Sequence, residues 1–165
     1  MREHITFGFV GIGLIGGSVA KALRRVYPSC KIIVYNRSAE PRVMAINDGT
    51  ANVAVPQVDK TFNECDYIFL CTPVEKNVEY LKILKDIIKD DCIITDVGSV
   101  KGNIHKAVEE LGLKKNFIGG HPMAGSEKTS YTYANDRLVE NAYYAITPTD
   151  AVSKERVEEF TEIVQ

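Results

Sequence analysis

The segment Gly11-Ile12-Gly13-Leu14-Ile15-Gly16 constrains this chain more than any other. It follows the apolar run Ile5–Val10 and opens an amphipathic stretch, the strand–loop–helix setting in which G-x-G-x-x-G carries meaning. The first glycine permits the tight turn, the second lets backbone approach a pyrophosphate, and the third allows close helix–strand packing. Free N–H groups at the helix start then face the phosphates. The spacing therefore predicts that Gly11, Gly13, Leu14, Ile15 and Gly16 cradle a dinucleotide; a glycine-rich structural turn is the plain alternative.

Downstream, short β-branched runs alternate with helically periodic stretches, the mark of βαβ units. Strands are predicted at Ile5–Val10, Lys31–Tyr35, Tyr67–Cys71, Cys92–Asp96, Phe117–Gly119 and Tyr143–Ile146, with a weaker one at Asn52–Ala54. Most are apolar on both faces, as in central strands covered by helices on each side. Helices are predicted at Gly16–Val26, Ala39–Asn47, Lys76–Lys89, Lys101–Leu111 and from Lys154 onward. Ser153 is the expected N-cap of the last, and Gly49 and Gly112 stand where C-terminal caps belong. Only Ser126–Asn141 is long and without a period, and such loops are often functional. The helical pattern is still running at Gln165, which reads as a truncation.

The 165 residues suit one ordinary domain, and a net charge of −2 with both signs interspersed gives no electrostatic reason to expect nucleic acid or an anionic membrane. A small-molecule partner is expected instead. No apolar run approaches the roughly 20 residues of a membrane span. The stretch from Ile5 to Ile15 is broken by Gly8, Gly11 and Gly13 and reads as a strand and loop rather than a signal peptide. Cys30, Cys65, Cys71 and Cys92 lack Cys-x-x-Cys spacing and are expected as buried reduced thiols of a cytoplasmic protein. No metal-ligand spacing is evident.

The residue that reads the ribose lies about 20 positions beyond the glycine loop, which leads to Asn36, Arg37 and Ser38. An NAD site usually places a carboxylate there, because it accepts from the 2′-hydroxyl and repels a 2′-phosphate. Asn36 is uncharged, Arg37 offers a donor fork for a phosphate and Ser38 adds a hydroxyl. The expectation leans to NADP and leaves NAD open, with an exposed turn arginine as the bland alternative. Thr72 and Pro73 follow the third main strand at the sheet edge where ligands bind in open α/β folds. Pro73 would also simply stop that strand.

Two further loops carry chemistry. Asp96-Val97-Gly98-Ser99-Val100-Lys101-Gly102 ends one strand, and Gly119-Gly120-His121-Pro122-Met123-Ala124-Gly125-Ser126-Glu127 ends the next. Both deliver polar side chains to the edge the cofactor would occupy. With the glycine loop and their spacing, these segments resemble the N-terminal domain of prephenate dehydrogenase and its arogenate-using relatives, and the resemblance covers essentially the whole chain.

The resemblance implies a doubly wound, mostly parallel α/β sheet of Rossmann type with helices on both faces. It implies oxidative decarboxylation of prephenate to 4-hydroxyphenylpyruvate with hydride transfer to NAD(P)+, in tyrosine biosynthesis. It makes His121 the catalytic base, Ser99 the serine that bonds the histidine and the substrate hydroxyl near the nicotinamide, and Glu127 a residue at the pocket mouth. It also implies a helical C-terminal domain that dimerises and supplies an arginine for a substrate carboxylate, so that these residues alone would bind cofactor and turn over substrate poorly.

Structural alternatives stand beside these roles. His121 before Pro122 could cap a strand, Ser99 could cap the Lys101 helix, and Glu127 could be a solvated loop carboxylate. Lys101 reads as facing solvent or a cofactor phosphate. Tyr131, Tyr133, Tyr143 and Tyr144 read as packing residues more than as a ring-stacking platform. Competing functions are an arogenate or β-hydroxyacid dehydrogenase on the same fold, and a dinucleotide-binding sensor module without chemistry.

Overall fold

In the computed structural model, which describes residues 4–165, five parallel strands pair side by side. They are β1 (Thr6–Val10), β2 (Lys31–Tyr35), β3 (Val53–Val55), β4 (Tyr67–Leu70) and β5 (Ile93–Asp96), in the order β3-β2-β1-β4-β5. The chain winds outward from β1 to β2 and β3, then returns to place β4 on the other side of β1. The direction of winding therefore reverses between β1 and β4, and a crevice opens above the ends of those two strands.

Period-two alternation sorts the strand residues into two cores. Phe7, Phe9, Ile32, Val34, Tyr67 and Phe69 form one with helices α1 (Leu14–Val26), α2 (Ala39–Asn47) and α5 (Lys154–Val164). Val10, Ile33, Ile68, Leu70 and Ile94 form the other with α3 (Val74–Leu84) and α4 (Gly102–Glu110). Phe9 lies opposite Phe69 in the β1–β4 register, with rings stacked 5.0 Å apart. Both are fully buried. Each such side chain contributes roughly 1.5–3 kcal/mol over its exposed state. A one-residue slip would turn both rings to the opposite face, so this pair fixes the register.

Several boundaries differ from expectation. Helix α1 starts at Leu14, so the glycine loop runs directly into its first turn. Helix α3 starts at Val74 because Pro73, with φ already near the helical value, occupies its N-cap. It ends at Leu84, where Ile87 and Ile88 both donate to the Leu84 carbonyl in a tight turn that keeps their side chains against the core. Ser153 caps α5 by accepting from the Arg156 N–H, and Gly49 and Gly112 take the left-handed conformation beyond α2 and α4.

The far edge departs from pure βαβ order. Strand β6 (Ile118–Pro122) touches β5 through one parallel bridge at Ile94 and Phe117, then pairs antiparallel with β7 (Tyr144–Pro148). Residues 123–143 hold no crossover helix, the usual means by which a chain returns to a parallel position. The four cysteines are free thiols; burial raises Cys65 and Cys71 far above the usual range and Cys92 to about 12, which keeps them protonated. Among the described residues, no helix is long and apolar enough to cross a membrane.

Candidate active site

The glycine loop leaves β1 with Gly11 at φ +93°, and its N–H donates to the Tyr35 carbonyl at 2.8 Å. A side chain at 11 would be strained by φ and would also meet Thr72 and the Cys71 carbonyl. Glycine is thus required where the loop passes between β1 and β4. Asn36 ties the loop to β2: its Oδ1 accepts the Ile12 N–H at 3.2 Å, and its Nδ2 donates to the Ser38 carbonyl at 3.3 Å. On the other side, Thr72 donates through its N–H at 3.2 Å, and through its hydroxyl, to Asn77 Oδ1. Pro73 is exposed beside it. Gly11, Gly13, Leu14, Ile15 and Gly16, with Asn36, Thr72 and Pro73, thus gather at the ends of β1, β2 and β4. A Cβ on Gly16 would meet the Gly11 carbonyl and Cys71, so that glycine serves helix–strand packing, while Gly13 and the start of α1, which no side chain caps, fit a pyrophosphate.

A second polar cluster sits at the ends of β5 and β6. Asp96 is fully buried, and its carboxylate accepts from Lys101 Nζ at 2.6 Å and from the N–H groups of Gly98 and Gly120 at 3.2 Å. Lys101 Nζ also donates to the Gly120 carbonyl. Burial pushes the Lys101 ammonium below its usual pKa, and Asp96 pulls it partly back. Lys101 was expected toward solvent or a phosphate; it is instead the internal counter-ion of Asp96. A carboxylate buried at the end of an apolar strand demands such a partner, and that demand was the missed signal.

This cluster pins Gly120, the residue before His121, and Gly98, the residue after Val97. The imidazole Nδ1 lies 3.4 Å from the Val97 carbonyl. A carbonyl only accepts, so Nδ1 carries a hydrogen, and in the neutral imidazole the lone pair is then on Nε2. His121 is half-buried at the same sheet edge as the glycine loop.

The remaining candidates surround this core without touching it. Ser99 is exposed on the β5–α4 loop, makes no hydrogen bond, and does not cap α4, which Lys101 precedes. Glu127 is exposed on the loop after β6. Arg37 and Ser38 are exposed just beyond β2; the Arg37 guanidinium is held by no ion pair or hydrogen bond, while the Ser38 carbonyl also accepts from Arg42 at 3.4 Å. Tyr131 is a packing residue, as expected, but it packs on α1. Asp96, Asn77 and Thr129 went unrecognised in the sequence; Thr129 places its carbonyl 3.3 Å from the Leu14 N–H.

A parallel sheet with a glycine loop at its switch point and a helix start beside it defines a nucleotide-binding α/β domain of Rossmann type. The model of the prephenate dehydrogenase nucleotide-binding domain matches residues 19–165. Prephenate dehydrogenase of Bacillus subtilis is 34% identical over 162 residues, covering 97% of this chain and 44% of that protein. The crystal structure of A. aeolicus prephenate dehydrogenase in complex with hydroxyphenyl propionate and NAD+ aligns with a TM-score of 0.89 and 34% identity, over 97% of this chain and 56% of that one. Synechocystis arogenate dehydrogenase aligns at 0.88 and 31%, over 96% and 55%. The chain belongs to the prephenate dehydrogenase family, and it spans about half the length of these relatives.

Proposed function

We propose that this chain is the cofactor-binding and base-bearing part of a prephenate dehydrogenase, an oxidoreductase of tyrosine biosynthesis that converts prephenate to 4-hydroxyphenylpyruvate. The observation that carries this reading is His121, with Nε2 free and Nδ1 committed to Val97, on the sheet edge that also holds the glycine loop. A bound NAD(P)+ would accept hydride from the carbinol carbon of the substrate. Gly11, Gly13, Leu14, Ile15 and Gly16 would hold its pyrophosphate, and Asn36, Arg37 and Ser38 its adenosine ribose. Thr72, Pro73 and Ser99 would border the nicotinamide half.

His121 then takes the hydroxyl proton at Nε2 as the carbinol is oxidised, and loss of the ring carboxylate as carbon dioxide makes the ring aromatic. Asp96 and Lys101 keep the imidazole aimed by fixing Gly120 before it and Gly98 beside its Val97 partner. Ser99 would bond the substrate hydroxyl, and Glu127 would stand at the pocket mouth. The cofactor reading leans to NADP, on the neutral Asn36 and the unpaired Arg37, with NAD as the alternative. In the longer protein, a helical domain would complete the substrate site and dimerise. The near-neutral net charge of −2 and the free, protonated thiols support a cytoplasmic enzyme with a small-molecule substrate.

The test is His121→Asn in the full-length enzyme. Turnover of prephenate, followed by reduced-nicotinamide absorbance, is expected to collapse while dinucleotide affinity stays within about twofold, since the base acts on substrate and not on the pyrophosphate. Retained turnover would remove His121 from the mechanism, and a sensor module would show no turnover in the unmodified protein. Arogenate, run in parallel, separates the two substrates.

A further inference from the structure

We propose that Tyr131 is a positioning residue for dinucleotide binding, holding residues 126–130 as a strap across the glycine loop, so that its grip sets cofactor affinity. This inference rests on the dinucleotide reading of that loop. Tyr131 is 3% exposed. Its hydroxyl donates to Asp48 Oδ2 at 2.7 Å and lies 3.2 Å from Thr50 Oγ1. Lys21 Nζ meets the same carboxylate oxygen at 2.7 Å and stands 4.9 Å from the centre of the tyrosine ring.

The ring lies on Gly17. A Cβ at that position would meet two ring carbons at 2.7 and 2.9 Å and the Ala134 methyl at 2.9 Å. The extra glycine after G-x-G-x-x-G is therefore explained by the tyrosine and not by a phosphate. Asn135 N–H donates to Ser18 Oγ at 3.1 Å, so the segment is fixed to α1 at two adjacent residues.

Two residues before this anchor, the Thr129 carbonyl accepts from the Leu14 N–H at 3.3 Å. It also lies 3.2 Å from where a Cβ on Gly13 would be. Leu14 is the first residue of α1, and its N–H points where a pyrophosphate oxygen belongs in this fold. A carbonyl oxygen and a phosphate oxygen both carry negative charge and cannot share that N–H at contact distance. Dinucleotide binding must therefore lift Thr129 against the hold that Tyr131 keeps on the segment, and the tighter that hold, the more the lift opposes binding. Because Glu127 rides on the same strap, lifting it also relocates that carboxylate.

Calorimetric titration with NAD+ and NADP+ tests this on the unmodified protein, Tyr131→Phe and Tyr131→Ala, with thermal melts alongside. Tyr131→Phe keeps the ring on Gly17 and loses only the hydroxyl. It is expected to bind the preferred dinucleotide several-fold more tightly while its Tm falls, and Tyr131→Ala more tightly still if folded. A lowered Tm with unchanged or weakened affinity in Tyr131→Phe overturns the proposal. Limited trypsin digestion gives a readout without substitution: saturating dinucleotide should speed cleavage after Lys128 in the strap, and unchanged or slower cleavage there also overturns it. Failure of the unmodified protein to bind either dinucleotide overturns the dinucleotide reading itself, whereas binding with an indifferent Tyr131→Phe overturns this inference alone.

Discussion

A neutral amide at position 36 serves the loop in a way a carboxylate could not. Asn36 accepts from Ile12 and donates to the Ser38 carbonyl, and an aspartate has no hydrogen for the second bond. The charge question at the ribose then passes to Arg37, whose guanidinium is exposed and unpaired. Arg37→Ala is expected to weaken NADP+ binding about tenfold or more and NAD+ by less than about twofold, since charge-assisted bonds to a phosphate contribute roughly 1.5–3 kcal/mol. Calorimetry with both dinucleotides measures the ratio, and equal losses would remove Arg37 as a reader of the 2′-phosphate. The sequence flags His121 through its motif. Which nitrogen is free is a different matter, because the Val97 carbonyl that decides it belongs to another strand end.

Between elements, the Asp96–Lys101 pair is what joins β5, the start of α4 and β6 into one rigid edge. Asp96→Asn leaves the half-buried Lys101 ammonium without its counter-charge, and breaking such a pair from one side costs about 3–5 kcal/mol. The double variant Asp96→Asn with Lys101→Met is expected to be less destabilised than Asp96→Asn alone, because the stranded charge is gone. Urea denaturation of the three proteins checks the order, and a double variant weaker than the single would contradict the ion-pair account. Element types were legible from the sequence for a physical reason: alternation in Phe7-Gly8-Phe9 and helical spacing in Val19-Ala20-Leu23 are short-range patterns. The exact start of α3 depended on Pro73, and the antiparallel course of β7 on the lack of a crossover helix before it.

At the scale of the whole molecule, Asp48 links α1, the loop after α2 and the Tyr131 segment. Burial raises its pKa, but the bonds from Lys21, Thr50 and Tyr131 outweigh that, and the carboxyl ends below its ordinary value. A folded value below the unfolded one means that the stability it lends is complete above about pH 3.9 and is lost as pH falls through the folded value. Melting curves across that acid range should therefore fall less steeply for Asp48→Asn than for the unmodified protein, and parallel curves would assign the acid loss elsewhere. By itself, the sequence determined the glycine loop, the apolar strands and helices, and the family resemblance, because these rest on spacings of a few residues along one chain. Only the tertiary structure decided that Lys101 turns inward to Asp96, that Gly17 makes room for Tyr131 and that Thr129 reaches Leu14. Those contacts join groups that chain-local patterns cannot bring together, and they exist only once the sheet has set which loops share its edge.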